Sequence, residues 1–215
     1  MEYLLSTPTV QYCEAALDMF IARPWYAASN LAFIVAGLIL LMRGGRYSRL
    51  FGILALAVGT LSFIYDATYT YLSQLFDLSG MLILIGVLLY LNLSLIIKNR
   101  RRLLIGLAIS LALSLVAIII LKGFAGNILF GLLVVIYIAS EIYLLRTKKH
   151  SHGKAWAIAF GIFLLGFIFW LFDASHLYCT DFGLLNGRSI FHYTNALTIY
   201  LLFMFYLKQA RRPQQ

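Results

Sequence analysis

Residues 98–121 read KNRRRLLIGLAISLALSLVAIIIL, in which four basic residues are followed by nineteen residues without a charge. An α-helix needs about 20 apolar residues to cross the hydrocarbon core of a bilayer. A cluster of Lys and Arg beside such a stretch is typical of a helix end at the cytoplasmic membrane surface. Residues 103–121 are therefore predicted to form a transmembrane helix.

The same pattern recurs along the whole chain. Of its 215 residues, 62% are hydrophobic and 12% are charged, whereas a soluble globular protein carries about 25% charged residues. The predicted fold class is all-α, a seven-transmembrane helical bundle that forms a single domain, 1–215. It has an outer N-terminal cap at 1–24, helices at about 25–208 and a short cytoplasmic tail. The predicted spans are 25–42, 50–70, 76–97, 103–121, 125–145, 155–175 and 189–208.

The basic residues predict how the helices cross the membrane. Fourteen of the 17 Lys and Arg fall after the first, third, fifth and last spans, and only Arg23, Lys122 and Arg188 fall on the other side. The positive-inside rule then places the N-terminus outside and the C-terminus in the cytoplasm. The basic charge indicates topology rather than nucleic-acid binding. We expect an integral, multi-pass protein of the bacterial cytoplasmic membrane, with no nucleic-acid or soluble partner.

Polar residues collect at the outer ends of the predicted spans. Ionisable groups within spans are costly and mark candidate functional sites. A spacing of four residues places Ser62 with Asp66, and Arg188 with His192, on one face of a helix. A metal site, a polar layer that only hydrates the headgroup region and a proton relay are all compatible with this depth. The layer comprises Ser62, Asp66, Asp77, Asp173, Arg188 and His192.

Several segments carry a family pattern. Residues 12–14 read YCE, residues 22–33 read ARPWYAASNLAF, and residues 59–68 read GTLSFIYDAT, with Asp77 eleven positions after Asp66. Further on come WLFD at 170–173, Cys179, and FHYTNALTIYL at 191–201. In these segments the chain resembles the alkaline ceramidase-like family of seven-helix membrane hydrolases, over nearly its whole length.

The resemblance implies a zinc-dependent amidase that hydrolyses the amide bond of an N-acyl, ceramide-type lipid. In that family three histidines hold the zinc, one on the second span and two on the last. The matching residues here are Asp66, Arg188 and His192. Ser62 and Asp77 match residues that assist the zinc-bound water and the oxyanion, so they are the predicted catalytic residues.

The changed ligands leave two hypotheses. In the first, zinc is retained on His192 and Asp66, with a third ligand from Asp173 or His176, and the chain is a ceramidase-like amidase. In the second, Asp66 and Arg188 form an ion pair where the metal would be, because an Arg side chain has no lone pair to offer a metal. The chain is then a non-catalytic lipid-binding or regulatory membrane protein, with Asp66, Arg188 and Asp173 in its lipid pocket. Both hypotheses predict an N-acyl or ceramide-like lipid as the partner.

The cysteines and a nearby acid complete the predictions. Cys13 and Cys179 both fall on the outer side, where an oxidising compartment permits a bridge and free thiols stay open as the alternative. The resemblance implies that the two are bonded, since the family has a disulfide at matching positions. Calcium is not predicted. Glu14 matches one of the family's calcium-binding acids, but Arg23 stands where another carboxylate is expected.

Overall fold

The computed structural model describes residues 2–121, 125–177, 179 and 183–211, so Lys122 lies outside the described residues. Within these ranges the regular secondary structure is helical, and seven helical stretches are long and apolar enough to span a membrane, the first of them Pro24–Met42. The predicted fold class is therefore confirmed, while the orientation of the termini remains a prediction. The helices are α1 (Pro24–Ser29), α2 (Leu31–Met42), α3 (Arg46–Thr68), α4 (Tyr71–Leu93), α5 (Arg100–Leu121), α6 (Ala125–Arg146), α7 (Gly153–Ala174) and α8 (Gly187–Ala210), with short 3-10 turns at Glu2–Leu5 and Gly183–Leu185.

Several helices extend beyond the apolar stretches that predicted them. α3 begins at Arg46 rather than at 50, and α5 begins at Arg100 rather than at 103. Long basic side chains in a first helical turn reach water while the backbone stays helical, so apolar residues alone place the start too late. The first span is interrupted at Asn30, which separates α1 from α2.

The chain forms two compact units, residues 1–77 with 152–215 and residues 78–151. The single-domain organisation remains a prediction. In the first unit α8 packs along α7, and α2 packs along α3. A Cβ atom on Gly37 would meet the carbonyl oxygen of Gly52 at 2.9 Å. Small residues therefore let the backbones of α2 and α3 approach closely.

The second unit contains most of α4, with α5 and α6, and has a buried polar cluster of its own. Nδ2 of Asn92 on α4 donates to Oε2 of Glu141 on α6 at 3.0 Å. Nδ1 of His150 lies 2.7 Å from Oε1 of Glu141. All three side chains are buried. The cluster therefore ties α4, α6 and the segment that follows α6 to one another.

Candidate functional site

The site is built around Asp66, which lies in the last turn of α3 and is fully buried. Its Oδ1 is 2.7 Å from Nη2 of Arg23 and 3.2 Å from Nε of Arg188. Its Oδ2 accepts hydrogen bonds from Nδ2 of Asn30 at 2.9 Å and from Nη2 of Arg188 at 3.4 Å. A carboxylate has about four lone-pair positions for hydrogen bonds. The four donors therefore use the acceptor capacity of Asp66.

Arg23 is held in place by the backbone just before Pro24. Its N–H donates to the carbonyl oxygen of Asp66 at 3.1 Å, which aligns the N-terminal segment with the end of α3. The side chain is fully buried, and its Nε and Nη1 have no hydrogen-bond partner among the described residues. Aromatic faces attract guanidinium groups, and the Arg23 guanidinium is surrounded by tyrosine rings instead of further hydrogen-bond acceptors. Four ring centroids lie within 5.5 Å of the guanidinium carbon, those of Tyr12, Tyr26, Tyr65 and Tyr69.

Arg188 lies in the first turn of α8 and connects Asp66 to the two predicted catalytic residues. Its Nη2 is 3.4 Å from Oδ2 of Asp77. The Ser62 side chain lies beside the same Asp77 carboxylate. The Arg188 guanidinium also lies 4.5 Å from the ring centroid of Tyr12. The structure thus brings Ser62, Asp66, Asp77 and Arg188 into one buried group.

His192 lies one turn beyond Arg188 on α8 but bonds to Ser29 rather than to Asp66. The Ser29 hydroxyl donates to the carbonyl oxygen of Tyr26 at 2.7 Å, because a carbonyl oxygen can only accept. The 2.6 Å contact between Ser29 Oγ and His192 Nδ1 then requires the hydrogen on Nδ1. In the neutral form of the ring, the lone pair is then at Nε2.

Asp173, at the end of α7, accepts three hydrogen bonds that anchor other segments. The donors are the backbone N–H of Cys13 at 2.9 Å, the Tyr26 hydroxyl at 2.8 Å and the backbone N–H of Arg188 at 2.8 Å. Asp173 is fully buried. Its carboxylate joins the N-terminal segment, α1 and the start of α8, and so it fixes where Arg188 stands.

A disulfide joins Cys13 to Cys179, 166 residues apart, as the resemblance implied. It closes the N-terminal segment onto the segment that follows α7. His176 lies near this bridge, with Nδ1 4.0 Å from Cys179 Sγ. The two cysteines and His176 are close enough to resemble a metal site. Zinc binds cysteine as the thiolate. The two sulfur atoms here are bonded to each other and are therefore not available as zinc ligands.

Glu14 caps the N-terminus of α1. Its carboxylate accepts hydrogen bonds from the backbone N–H groups of Trp25 at 2.9 Å and Tyr26 at 2.8 Å. Partial burial raises the pKa of Glu14 above its usual value, and the two backbone donors oppose that rise. Negative charge at a helix N-terminus is favourable. Glu14 therefore orients α1, which carries Tyr26 and Ser29.

The residues present do not fit a zinc ion. Catalytic zinc is held by three protein ligands with free lone pairs. Asp66 has its oxygen atoms bonded by two guanidinium groups and an amide, and Arg188 has no lone pair to give. The carboxylate oxygens of Asp173 already accept hydrogen bonds from Cys13 and Arg188. His176 is exposed beside the disulfide, outside this buried group. Within the described buried group around Asp66, only His192 keeps a nitrogen that could bind a metal.

A sequence model of the ceramidase family matches residues 5–212, a range that includes every residue of this site. The chain belongs to the ceramidase family. At family level it is thus a ceramidase-like membrane hydrolase, and the resemblance noted in the sequence is confirmed. The family is generally metal-dependent and its name points to ceramide-like lipids. No curated protein matches the chain closely enough to be called a relative.

Sequence reasoning missed Arg23 and Asn30, which bind Asp66, and Ser29, which bonds to His192. The charge distribution contained a signal for Arg23. Only three of the 17 basic residues fall on the predicted outer side, and two of those three, Arg23 and Arg188, bind Asp66. A basic residue on the outer side, where the positive-inside rule predicts few, is a candidate for a specific interaction. Ser29 had no such signal, because its role depends on how α1 packs against α8.

Proposed function

We propose that this ceramidase-family protein binds an N-acyl lipid at the Asp66 site without zinc. The two guanidinium groups of Arg23 and Arg188 take the position that a metal cation would hold. One observation carries the proposal: the Asp66 carboxylate is fully engaged by Arg23, Arg188 and Asn30. A dication would have to displace two buried, permanently charged groups, which is costly because both would be left unpaired in a low-dielectric site.

The same residues suit the polar part of an N-acyl lipid. An amide offers one carbonyl acceptor and one N–H donor. Nη1 of Arg188 bonds to no acceptor among the described residues, so it is available to a lipid carbonyl. The Asp77 carboxylate and the Ser62 hydroxyl lie beside it and complement an amide N–H or a lipid hydroxyl. Recognition by this group requires no bond cleavage.

A second candidate function is amide hydrolysis, and the state of His192 favours it. Its Nδ1 is held by Ser29, so Nε2 faces away from Ser29 as a free lone pair. Such a nitrogen can act as a general base. Ser62 and Asp77 are the assisting residues of that reaction. If the chain hydrolyses amides, it keeps the reaction of its family. If it binds lipid without zinc, it keeps only the lipid recognition.

Two measurements on purified protein in detergent separate the candidates. Binding of a ceramide is measured by native mass spectrometry, and release of fatty acid from a fluorescent ceramide is measured with added zinc or with a chelator. We expect ceramide binding, no fatty-acid release under either condition, and weaker binding in Arg188→Met. Arg49→Met, an exposed arginine on α3, is the matched control and should bind normally.

Fatty-acid release that is abolished by His192→Ala would contradict the leading proposal and establish the second candidate. Absence of ceramide binding in wild type would remove both, since each requires the lipid to occupy the Asp66 site.

A further inference from the structure

A groove runs between α2 and α8 on a face that the helices expose. It has a volume of about 390 Å³, and its floor contains Ala32, Ala36 and Ala196. Aliphatic side chains form its walls, and Tyr193 and Tyr200 lie along α8. α8 is a candidate membrane span, and α2 forms most of another, Pro24–Met42. The groove therefore faces hydrocarbon rather than water, and it shares no residue with the Asp66 cluster.

The groove has the length of a short piece of lipid chain. Tyr193 and Tyr200 are seven residues apart on α8, which corresponds to about 10 Å along a helix axis. Alanine side chains leave a channel where larger residues would fill the space between the two helices. A shallow channel of this kind fits one flexible hydrocarbon chain.

One end of the groove carries a positive charge. Arg43 follows the end of α2, is exposed, and has its guanidinium carbon 5.1 Å from the ring centroid of Tyr200. Its Nη1 lies 3.6 Å from the sulfur of Met204, one turn further along α8. The guanidinium is thus folded back over the end of the groove instead of extending away from it. Arginine pairs with phosphate through charge-assisted hydrogen bonds.

We propose that this groove binds an anionic glycerophospholipid, with one acyl chain along the alanine floor and the phosphate at Arg43. Basic residues at the membrane surface attract anionic lipids, and a neighbouring exposed arginine, Arg46, adds to the positive charge. A second copy of the chain fits less well. In a parallel dimer through this groove both copies of Arg43 would lie at the same membrane surface and repel each other, whereas a phosphate neutralises the charge.

Native mass spectrometry of the full chain, titrated with dioleoyl phosphatidylglycerol or dioleoyl phosphatidylcholine, tests the proposal. Arg43→Gln removes the charge, and Ala36→Leu fills the channel. Matched controls are Arg49→Gln, which changes another exposed arginine, and Ala112→Leu, which enlarges an exposed alanine on α5. We expect wild type to prefer phosphatidylglycerol, Arg43→Gln to bind it about tenfold more weakly, Ala36→Leu to lose it, and both controls to match wild type.

Equal binding of phosphatidylglycerol to wild type and Arg43→Gln would overturn the proposal. So would a wild-type dimer that Ala36→Leu dissociates, because the groove would then hold another protein chain. If a thermal melt shows that Ala36→Leu is not folded under the assay conditions, the comparison of phosphatidylglycerol binding between Arg43→Gln and Arg49→Gln still tests the proposal. Ceramide binding at the Asp66 site should be the same in all four variants. A loss of phospholipid binding at the groove is therefore distinguishable from a loss of ceramide binding at the Asp66 site.

Discussion

Replacing Arg23 with Met removes the shortest ion pair of the site, the 2.7 Å contact between Arg23 Nη2 and Asp66 Oδ1. Neither side chain has exposed surface. Asp66 would then keep the Asn30 amide at 2.9 Å and, as its only guanidinium partner among the described residues, Arg188 at 3.2 Å and 3.4 Å. Breaking a buried ion pair by removing one member lowers the free energy of unfolding by about 3–5 kcal/mol. Arg188→Met removes two longer contacts to Asp66 and one to Asp77, so its cost should also be about 3–5 kcal/mol.

A double-mutant cycle with Asp66→Asn measures the interaction itself. The free energy of unfolding is determined in detergent for wild type, Arg23→Met, Asp66→Asn and the double variant. Each single variant leaves one member of the Arg23–Asp66 pair buried without the other, whereas the double variant removes both charges. The double variant should therefore be more stable than the sum of the single effects predicts, by at least about 1 kcal/mol. Arg49→Met should stay within about 0.5 kcal/mol of wild type. Additive effects of Arg23→Met and Asp66→Asn would refute the buried pair.

Three further predictions follow from the same contacts. Tyr26→Phe removes the hydroxyl that donates to Asp173 and should lower the free energy of unfolding by about 1–3 kcal/mol; a loss no larger than that of a Phe substitution at the exposed Tyr143 would contradict this role. Cys13→Ser combined with Cys179→Ser should cost about 2–4 kcal/mol, because the long loop is no longer closed in the unfolded chain; a variant as stable as wild type would show that the bridge contributes nothing. Asp66→His with Arg188→His restores three histidines but leaves Arg23 buried without its carboxylate, so zinc binding measured by mass spectrometry should appear only when Arg23→Met is added; zinc binding by the two-residue reversion alone would contradict this.

The fold was predictable because the membrane imposes it. Long apolar stretches must be helical, since no water is present to satisfy exposed backbone groups, and this placed all seven spans. The helix starts were less accurate where basic residues occupy the first turn, as at Arg46 and Arg100. The Cys13–Cys179 bridge was predictable only through the family resemblance, because two cysteines on one side of a membrane do not have to bond.

The site was predictable only in part. The depth of Asp66 and Arg188 on their helices follows from the positions of the spans, and the structure places them in contact. The contribution of Arg23 could not be read from periodicity, because residues 6–23 form no helix that would orient the side chains before Pro24. It reaches Asp66 through backbone hydrogen bonds to the end of α3, a long-range contact that local sequence does not encode.

The zinc content of the wild-type protein tests the central claim most directly. Protein purified in detergent is equilibrated with a buffer of defined free zinc, separated from unbound metal, and analysed by inductively coupled plasma mass spectrometry alongside His192→Ala. We expect no zinc above the level of His192→Ala, since Arg23 and Arg188 already occupy Asp66. One zinc ion per chain that disappears in His192→Ala would show that the metal site persists.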